Sequence, residues 1–412
     1  MSPTFRSLRV RNYRLFATGQ AVSLSGTWGQ RVAQDWLVLE ITDNDPVALG
    51  VVTALQFLPV LLLGLYGGVL ADRHDKRRLL VLAQGAMGVL ALALAALDLS
   101  GAVQLWHVYA LALGLGVATA VDTPTRQAFV SEMVGPEDLP NAVSLNSAAF
   151  NASRIVGPAL AGVAIAVWGT GWVFLANGVS YGAVLVGLLM MRPAELVHPN
   201  RQPAQKGQVR EGLRYVLDRR ELAVPIALVF MVGTFGLNFQ ITLALVAKQV
   251  FETGASSFGL LTSAFAFGSL LGALASARRS GPPTPDRMLA AALVFGLLEV
   301  VVGLAPTFPT MMLLLVPTGM AVLTFTTTTN ALVQLGSDAA VRGRVMALYV
   351  LVFLGGTPVG APLVGVVADA WGPRTPLLVG GAVCALSALV AGAVLGRQPI
   401  RRYRGALTRM TL

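Results

Sequence analysis

The stretch from Gly67 to Arg78 reads GGVLADRHDKRR and holds two acids, four firm cations and a histidine. The segments on either side, about 47–70 and 79–97, are free of charge and long enough to cross a bilayer, which takes roughly 20 apolar residues. Short loops rich in Lys and Arg lie on the cytoplasmic side of membrane proteins. The stretch is therefore predicted to be a cytoplasmic hairpin, with glycines that let its two helices approach closely and with Asp72 bonding a neighbouring helix start.

The composition of the chain is that of a membrane protein. Of its 412 residues, 55% are hydrophobic and 12% are charged, and its mean hydropathy is +0.69. A soluble domain has about 25% charged residues. The net charge of +10 is spread over many short segments without interleaved aromatic residues, so the cations are interpreted as orientation signals and no nucleic-acid partner is predicted.

The residues that enzymes and metal sites require are scarce and scattered. Cys384 is the single cysteine, and His74, His107 and His198 are isolated from one another. We found no Ser/His/Asp arrangement, no phosphate-binding glycine loop and no metal-ligand spacing, and the start of the chain shows no cleavable signal peptide. The sequence therefore predicts no catalytic residues, no cofactor and no metal site.

Twelve apolar segments are long enough to span a membrane. All but four of the 30 Lys and Arg lie in or beside the loops and termini that an even number of crossings places on one side. This bias predicts a multi-pass protein of the plasma (inner) membrane with both termini in the cytoplasm. The segments lie near residues 15–39, 47–70, 79–98, 105–127, 141–167, 171–191, 222–247, 256–277, 288–305, 309–333, 344–368 and 375–396.

The longest polar stretch divides the chain into two repeats. Residues 156–169 match residues 359–372 at seven of fourteen positions, which indicates a duplicated six-helix unit. The predicted domains are 1–191, a first six-helix bundle; 192–221, a cytoplasmic linker with a basic amphipathic helix on the inner leaflet; and 222–412, a second bundle with a basic tail. The Gly68 hairpin recurs at Gly272, where Ser276 takes the place of Asp72.

The hairpin resembles motif A of the major facilitator superfamily, and its form is most similar to the exporter branch with enterobactin and macrolide efflux proteins. Asp75 replaces the usual second glycine. The resemblance implies an all-α polytopic membrane protein with twelve transmembrane helices in two pseudo-symmetric six-helix bundles and a substrate site between the halves. The matching residues, several of which would act in gating, are Gly68, Asp72, Arg73, Lys76, Arg77 and Arg78.

The first segment carries the polar residues of a predicted substrate and proton cavity: Trp28, Arg31, Gln34 and Asp35. Arg31 and Asp35 are four apart and can pair on one helix face. A charged residue at the membrane centre costs about 2.5–3.5 kcal/mol on insertion scales, so it faces a cavity or a partner. We hypothesise that Asp35 carries a proton and that Arg31 tunes its pKa; the alternative is a structural ion pair.

Two further segments add candidates in the first half. Asp122 and Arg126, four apart near the cytoplasmic face, form either a structural pair or a gate. Asn151, Arg154 and the Gly157-Pro158 break resemble the superfamily's antiporter motif, with Ser153 and Ala161 replacing two glycines. Arg154 would attract an anionic group of the substrate or hold a carboxylate such as Asp35. The alternative is a kinked helix used for packing.

The second half is poorer in charge. Asn238 and Gln240 supply neutral polar groups to the predicted cavity, and Arg342 and Arg344 resemble the family's inner gate loop. Glu299 serves either a bond between helices or proton coupling.

The resemblance implies a proton-coupled antiporter that exports small amphipathic molecules such as drugs, macrolides or siderophores by alternating access. It would act as a monomer in the lipid bilayer. The alternatives are a lipid or lysolipid flippase or an importer on the same fold, or a membrane-embedded enzyme or sensor.

Overall fold

The computed structural model describes residues 3–197, 208–278, 281–338 and 341–396. His198, the first part of the predicted linker and the basic tail therefore lie largely outside the described residues. Within the described ranges the secondary structure is helical, without β-strands.

Twelve helical spans follow one another in the described residues, close to the predicted positions. The seventh span, Arg220–Val250, is irregular, because π-helical turns at Val232–Gly236 and Val246–Val250 interrupt it. The helices are α1 Arg11–Ile41, α2 Pro46–Arg73, α3 Lys76–Leu99, α4 Leu105–Met133, α5 Leu139–Trp168, α6 Thr170–Leu189, α7 Gln208–Leu217, α8 Arg220–Met231, α9 Phe239–Leu245, α10 Ala255–Ala277, α11 Pro285–Gly303, α12 Phe308–Gly336, α13 Arg342–Trp371 and α14 Thr375–Gly396.

Ten of these described spans are long and apolar enough to cross a membrane by composition alone. The two that fall short are α1 and α11, which carry the buried acids Asp35 and Glu299 together with other polar or charged residues. Polar residues within otherwise apolar bundles mark functional positions. The fold class is that of an all-α polytopic membrane protein.

The two helices that the hairpin joins, α2 and α3, each begin at an acidic N-cap residue. The Asp45 carboxylate accepts hydrogen bonds from the backbone N–H groups of Val47 (2.7 Å) and Ala48 (3.2 Å) at the start of α2. At the start of α3 the Asp75 carboxylate accepts from Arg78 N–H (2.7 Å). These bonds satisfy donors that have no partner within the helix. The residue that replaces the expected glycine of the hairpin is therefore a helix cap.

The helices form two compact units. The first takes in the chain before α7 with Gln240–Ala266 and Ala361–Pro373, and it pairs α1 with α5 and α6, and α4 with α2 and α3. The second takes in α7, α8, Phe267–Gly360 and α14, and it packs α11 against α12 and α14. These units reflect close packing, and the division into bundles 1–191 and 222–412 stays a prediction.

The close approach of helices at the hairpin differs from the prediction. A Cβ atom on Gly67 would collide with the Ala120 carbonyl of α4, whereas around Gly68 the space is open. The glycine contact is therefore between α2 and α4, and not between α2 and α3. In the second unit a Cβ on Gly272 would lie 2.8 Å from the Met320 carbonyl of α12.

The duplication seen in the sequence is also visible in the backbone. Gly169 follows α5 and Gly372 follows α13, 203 residues later, and both have φ of +91°. Side chains other than glycine rarely adopt this conformation. Both repeats therefore turn between their fifth and sixth spans in the same way.

Candidate functional site

An arginine–tryptophan cluster lies where α1 meets α2 and α5. The Arg31 guanidinium carbon is 4.6 Å from the centre of the Trp28 ring and 5.2 Å from that of Phe57 in α2. From α5, the Arg154 guanidinium carbon is 5.3 Å from the same Trp28 ring, and Phe150 meets this ring edge-on at 5.8 Å. One indole therefore contacts two cations, and we call Trp28, Arg31 and Arg154 the cationic cluster.

The two guanidinium groups of the cationic cluster have no bonded anionic partner among the described residues. Neither makes a hydrogen bond, or an ion pair within 4.0 Å, to any residue that the structure describes. A cation–π contact contributes about 0.5–2 kcal/mol, depending on desolvation, and leaves the charge in place. Two cations this close repel each other, and an anion placed between them would be attracted by both.

Close packing of α5 on α1 places Arg154 beside Trp28. A Cβ on Gly157 would lie 2.5 Å from the Ser25 carbonyl and 2.8 Å from the Trp28 Cβ, so only glycine permits this approach. One turn earlier, Ser25 Oγ donates to Ser153 Oγ at 3.2 Å. The α5 helix therefore packs tightly on α1, and it continues through Pro158.

The acid of α1 is bonded to an amide and not to an arginine. Asp35 is 2% exposed, and its Oδ2 accepts a hydrogen bond from Gln240 Nε2 of α9 at 2.6 Å. Among the described residues no ion pair joins Asp35 to Arg31 or Arg154, so the expected pairing of Arg31 with Asp35 is wrong for this structure. The reason is that Arg31 turns back onto Trp28, one turn earlier, as helical side chains lean towards the N-terminus.

The remaining amides predicted for the cavity divide into two groups. Asn151 Nδ2 donates to the Ser147 carbonyl (2.8 Å) and Asn238 Nδ2 to the Thr234 carbonyl (2.7 Å), so each bonds its own helix segment. Gln34 is buried, and its Nε2 has no partner among the described residues. Gln240 is thus the predicted amide that reaches a charged candidate residue.

The hairpin ties together the helices of the first unit at the end where α2 meets α3. Lys76 Nζ is 2.6 Å from Glu132 Oε1 of α4, and these side chains are 10% and 8% exposed. Arg77 donates to the Leu188 carbonyl (2.6 Å) and the Leu189 carbonyl (3.0 Å), the last of α6. The hairpin therefore ties α3 to the ends of α4 and α6. Sequence reasoning missed Glu132, although an acid in the last turn of α4 faces a cation-rich loop.

Asp72 and Arg73 are exposed in the last turn of α2, and neither side chain makes a hydrogen bond within the described ranges. The prediction that Asp72 bonds a neighbouring helix start is wrong for this structure, because Asp75 occupies that role at α3.

The predicted pair in α4 is present. Arg126 Nε donates to Asp122 Oδ2 at 3.2 Å, and Gln84 Nε2 of α3 donates to Asp122 Oδ1 at 2.6 Å. Both carboxylate oxygens of this buried acid are thus bonded. Gln84 was not predicted, although it is the one amide in an otherwise apolar stretch of α3.

The predicted amphipathic helix is α7, which the structure describes together with its anchor. Tyr215 accepts a hydrogen bond from Asp338 N–H (3.1 Å), and Arg219 Nη2 donates to the Asp338 carboxylate (3.2 Å). The hydrogen bond with Tyr215 and the charge of Arg219 lower the pKa of Asp338, whereas burial raises the pKa of Tyr215. In the same loop Arg342 Nη2 contacts the Ser337 carbonyl (3.4 Å), and Arg344 follows it in α13.

The helical fold and the buried polar side chains of α1 define a membrane transporter of the major facilitator type. The chain belongs to the family described as transmembrane secretion effector, whose model matches residues 2–402. It is 26% identical over 266 residues to the staphyloferrin A transporter of Staphylococcus aureus, covering 63% of this chain and 66% of that protein. It is 25% identical over 341 residues to the enterobactin exporter of Citrobacter koseri, covering 82% of this chain and 80% of that protein.

Solved structures share the fold at low sequence identity. A bacterial homologue of the human lysosomal transporter Spinster, in an inward-facing and occupied conformation, gives a TM-score of 0.75 at 14% identity, covering 95% of this chain and 98% of the other. A POT family transporter with a thioalcohol-conjugated peptide gives a TM-score of 0.75 at 11% identity, covering 95% and 96%. These likenesses establish the architecture of two pseudo-symmetric six-helix bundles.

Proposed function

We propose that this protein is a proton-coupled antiporter that exports small amphipathic organic anions of the siderophore kind by alternating access. The family match and the names of two relatives, a staphyloferrin A transporter and an enterobactin exporter, support siderophore-type cargo. The observation that carries the anionic preference is the cationic cluster, whose two guanidinium groups have no carboxylate partner among the described residues.

The cluster suits a cargo that combines negative charge with a flat or apolar body. Arg31 and Arg154 would bind carboxylate or catecholate oxygens through paired N–H groups, which bind such planar anions well. Trp28 and Phe57 would contact the apolar part of the cargo. Gln34, with its unpartnered buried amide, and Asn151 would add hydrogen bonds.

Asp35 is the proposed carrier of the proton. The hydrogen bond from Gln240 Nε2 to Asp35 Oδ2 suits an ionised carboxylate; once protonated, its O–H would instead donate to the Gln240 carbonyl oxygen after rotation of the amide. Asn238 lies two residues before Gln240 in the same interrupted span. The bond between α1 and α9 would thus depend on protonation, and each conformational state would favour either proton or cargo.

The gating roles rest on the cytoplasmic contacts. The hairpin residues Gly68, Asp72, Arg73 and Arg77 and the α13 entrance residues Arg342 and Arg344 would rearrange between states. The Asp122–Arg126 pair and the Gly157–Pro158 packing site would act as fixed points around which the helices move. We further propose a monomer in the inner membrane with both termini cytoplasmic.

The test is a transport assay in proteoliposomes of the full-length protein with an imposed pH gradient. An acidic lumen should drive accumulation of a catecholate or carboxylate siderophore, accompanied by a rise of luminal pH, and should drive little uptake of a cationic dye. Arg154→Gln should raise the KM for the siderophore about tenfold or more, since a charged hydrogen bond of about 1.5–3 kcal/mol is lost.

The matched control is Arg14→Gln, which removes the same charge from an exposed position at the cytoplasmic end of α1. It should keep the wild-type KM. Siderophore uptake at the same rate with and without the pH gradient would refute proton coupling. A preference for the cationic dye would refute the anionic cargo, and accumulation under the opposite gradient would make the protein an importer.

A further inference from the structure

A second buried carboxyl lies in the second unit, away from the cationic cluster in the sequence. Glu299 of α11 is 2% exposed and makes no hydrogen bond to any residue that the structure describes. Its Oε2 is fully enclosed without a partner there. Buried polar side chains are nearly always bonded, so an acid left in this state needs an explanation.

The surroundings of Glu299 are the π-helical turn of the seventh span and α14. A Cβ atom on Gly236 would lie 3.1 Å from Glu299 Oε2, and one on Gly380 would lie 3.1 Å from Oε1. The same point on Gly380 would collide with the Phe235 carbonyl oxygen. The carboxyl therefore fills a space left by two glycines, close to a backbone carbonyl of the π-helical turn.

The charged and titratable groups near Glu299 are few. Cys384 of α14 shares the space next to Gly236, where a Cβ would lie 2.8 Å from its sulfur. Neither α12 nor the rest of α14 contains a charged residue, and none lies between 222 and 247 in the seventh span. On α11 itself the other charged residues are Asp286 and Arg287, more than three turns away. These packed elements therefore supply no cation that could neutralise the carboxylate.

The repeat shows that the fold does not require an acid at this position. Gly88 of α3 packs on α6 near Gly178 and Tyr181, as Gly296 of α11 packs on α14 near Gly381 and Ala385. This alignment places Ala91 opposite Glu299, and Ala91 is fully buried. The first repeat thus packs well with a methyl group where the second has a carboxyl.

The first repeat joins the helices that correspond to the seventh span and α14 through neutral groups. There α1 and α6 are joined by a hydrogen bond between Thr27 Oγ1 and the Tyr181 hydroxyl at 3.1 Å. In the second repeat Gly233-Thr-Phe-Gly236 aligns with Gly26-Thr-Trp-Gly29, so the corresponding residues are Thr234 and Cys384, and Thr234 Oγ1 has no hydrogen-bond partner among the described residues. The carboxyl of Glu299 enters the space from a third helix, and its polar group is the one that can take up and lose a proton.

We propose that Glu299 is a second proton-binding site, at which a bound proton holds the π-helical turn Val232–Gly236 and loss of the proton releases it. A lone carboxylate in a dry site costs several kcal/mol, whereas a protonated carboxyl is an O–H donor for the nearby Phe235 carbonyl. π-Helical turns leave backbone groups without regular partners and occur often at functional sites. Deprotonation would require water to enter and the turn to open.

The π-helical turn Val232–Gly236 directly precedes α9, so a change in the turn would affect the rest of the seventh span. Three residues separate Gly236 from Gln240, whose amide binds Asp35. A change of the turn would therefore alter the start of α9. This inference goes beyond the proposed function, since it concerns a proton that is not carried by Asp35.

The first test is infrared spectroscopy of the purified full-length protein. The wild type should show the C=O stretch of a protonated carboxyl at neutral pH, and this band should be lost in Glu299→Gln and in the wild type at alkaline pH. Glu137→Gln, an exposed glutamate in the loop before α5, is the matched control and should keep the band. Absence of a Glu299 band at neutral pH would overturn the proposal.

The second test uses Cys384, the single thiol of the chain, and requires no cargo. Its rate of reaction with a maleimide should rise about tenfold per pH unit in Glu299→Gln, because the thiolate is the reactive form. In the wild type, over the pH range in which the infrared band disappears, the factor by which the maleimide reaction rate rises per pH unit should be at least three times larger than in Glu299→Gln. Equal slopes would overturn the proposal, whatever the transport assay of the cationic cluster shows.

Glu299→Ala, which introduces the residue that the first repeat has at Ala91, tests folding separately. It should give a folded protein with the shallow maleimide slope of Glu299→Gln. A folded Glu299→Ala protein with the steep wild-type slope would contradict the role of the carboxyl.

Discussion

At the scale of single residues, the cationic cluster and Asp35 divide the chemistry of α1 between two neighbours. Arg31 stacks on Trp28, and Asp35 accepts the Gln240 amide at 2.6 Å. An ion pair between Arg31 and Asp35 would neutralise both charges within the helix. Because no ion pair joins them, the proposed function can assign Arg31 to a cargo anion and Asp35 to a proton.

Asp35→Asn should abolish accumulation of the siderophore driven by the pH gradient, while exchange of labelled for unlabelled cargo at equal pH should persist. Asparagine can still accept the Gln240 amide but cannot carry a proton. Both rates are measured in the same proteoliposomes. Proton-driven accumulation at the wild-type rate would exclude Asp35 as the carrier, and Glu40→Gln, near the end of the same helix, serves as the control.

At the scale of elements, the hairpin between α2 and α3 contributes most through Lys76 and Glu132. The two side chains are about nine-tenths buried and 2.6 Å apart. Removal of one member of such a pair leaves the other charge buried without a partner, whereas replacement of both by apolar groups restores a neutral contact.

Glu132→Gln should therefore destabilise the protein by about 3–5 kcal/mol, and the double variant Lys76→Met with Glu132→Leu by clearly less. Thermal unfolding in detergent measures the difference as a lower Tm for the single variant. Arg192→Gln, which removes an exposed pair with Glu195, should leave the Tm within experimental error. A single variant as stable as the wild type would show that the pair does not support the hairpin.

The contact of α7 with the loop before α13 should depend on pH through Asp338. Tyr215 and Arg219 lower the pKa of this carboxyl, so its ionised form is the one that is bound. The contribution of the contact is then complete above the ordinary aspartate pKa of about 3.9 and is lost as the pH falls through the lower value of the folded protein. Between pH 7 and pH 5 the anchoring of α7 should be constant.

Hydrogen exchange of the α7 amides, corrected for the intrinsic pH dependence, measures this anchoring. Protection should fall only below about pH 4 in the wild type. In Asp338→Asn it should be low and independent of pH over the whole range. Loss of protection in the wild type between pH 7 and pH 5 would show that another group controls the contact.

At the scale of the whole molecule, hydropathy and charge were sufficient for the spans but not for the partners of the polar residues. Long apolar segments between cationic loops predict helices because backbone groups in lipid must bond within their own segment. The bonds of Asp75, Glu132 and Gln240 depend on which helices become neighbours. The periodicity of apolar residues does not show which helices become neighbours, since one helix face is compatible with several partners.

The glycines illustrate the same limit. The spacing around Gly68 suggested close contact within the hairpin, but the contact is made by Gly67 against α4, which is distant in sequence. Gly169 and Gly372, by contrast, were aligned by the repeat, and their shared φ of +91° is a local property that the sequence can encode. Local conformation was predictable to the extent that it did not depend on tertiary neighbours.

The orientation of the twelve spans rests on the concentration of Lys and Arg at one face, and single cysteines test it. In a Cys384→Ser background, Asp43→Cys between α1 and α2 should react with a membrane-impermeant maleimide in intact cells. His74→Cys, between α2 and α3, should react only after the cells are permeabilised, because the positive hairpin remains in the cytoplasm. Both positions lie between described helices, and His74 is exposed. Labelling of His74→Cys in intact cells would show that the topology is the reverse of the one predicted, and the direction assigned to the proton gradient would then be reversed too.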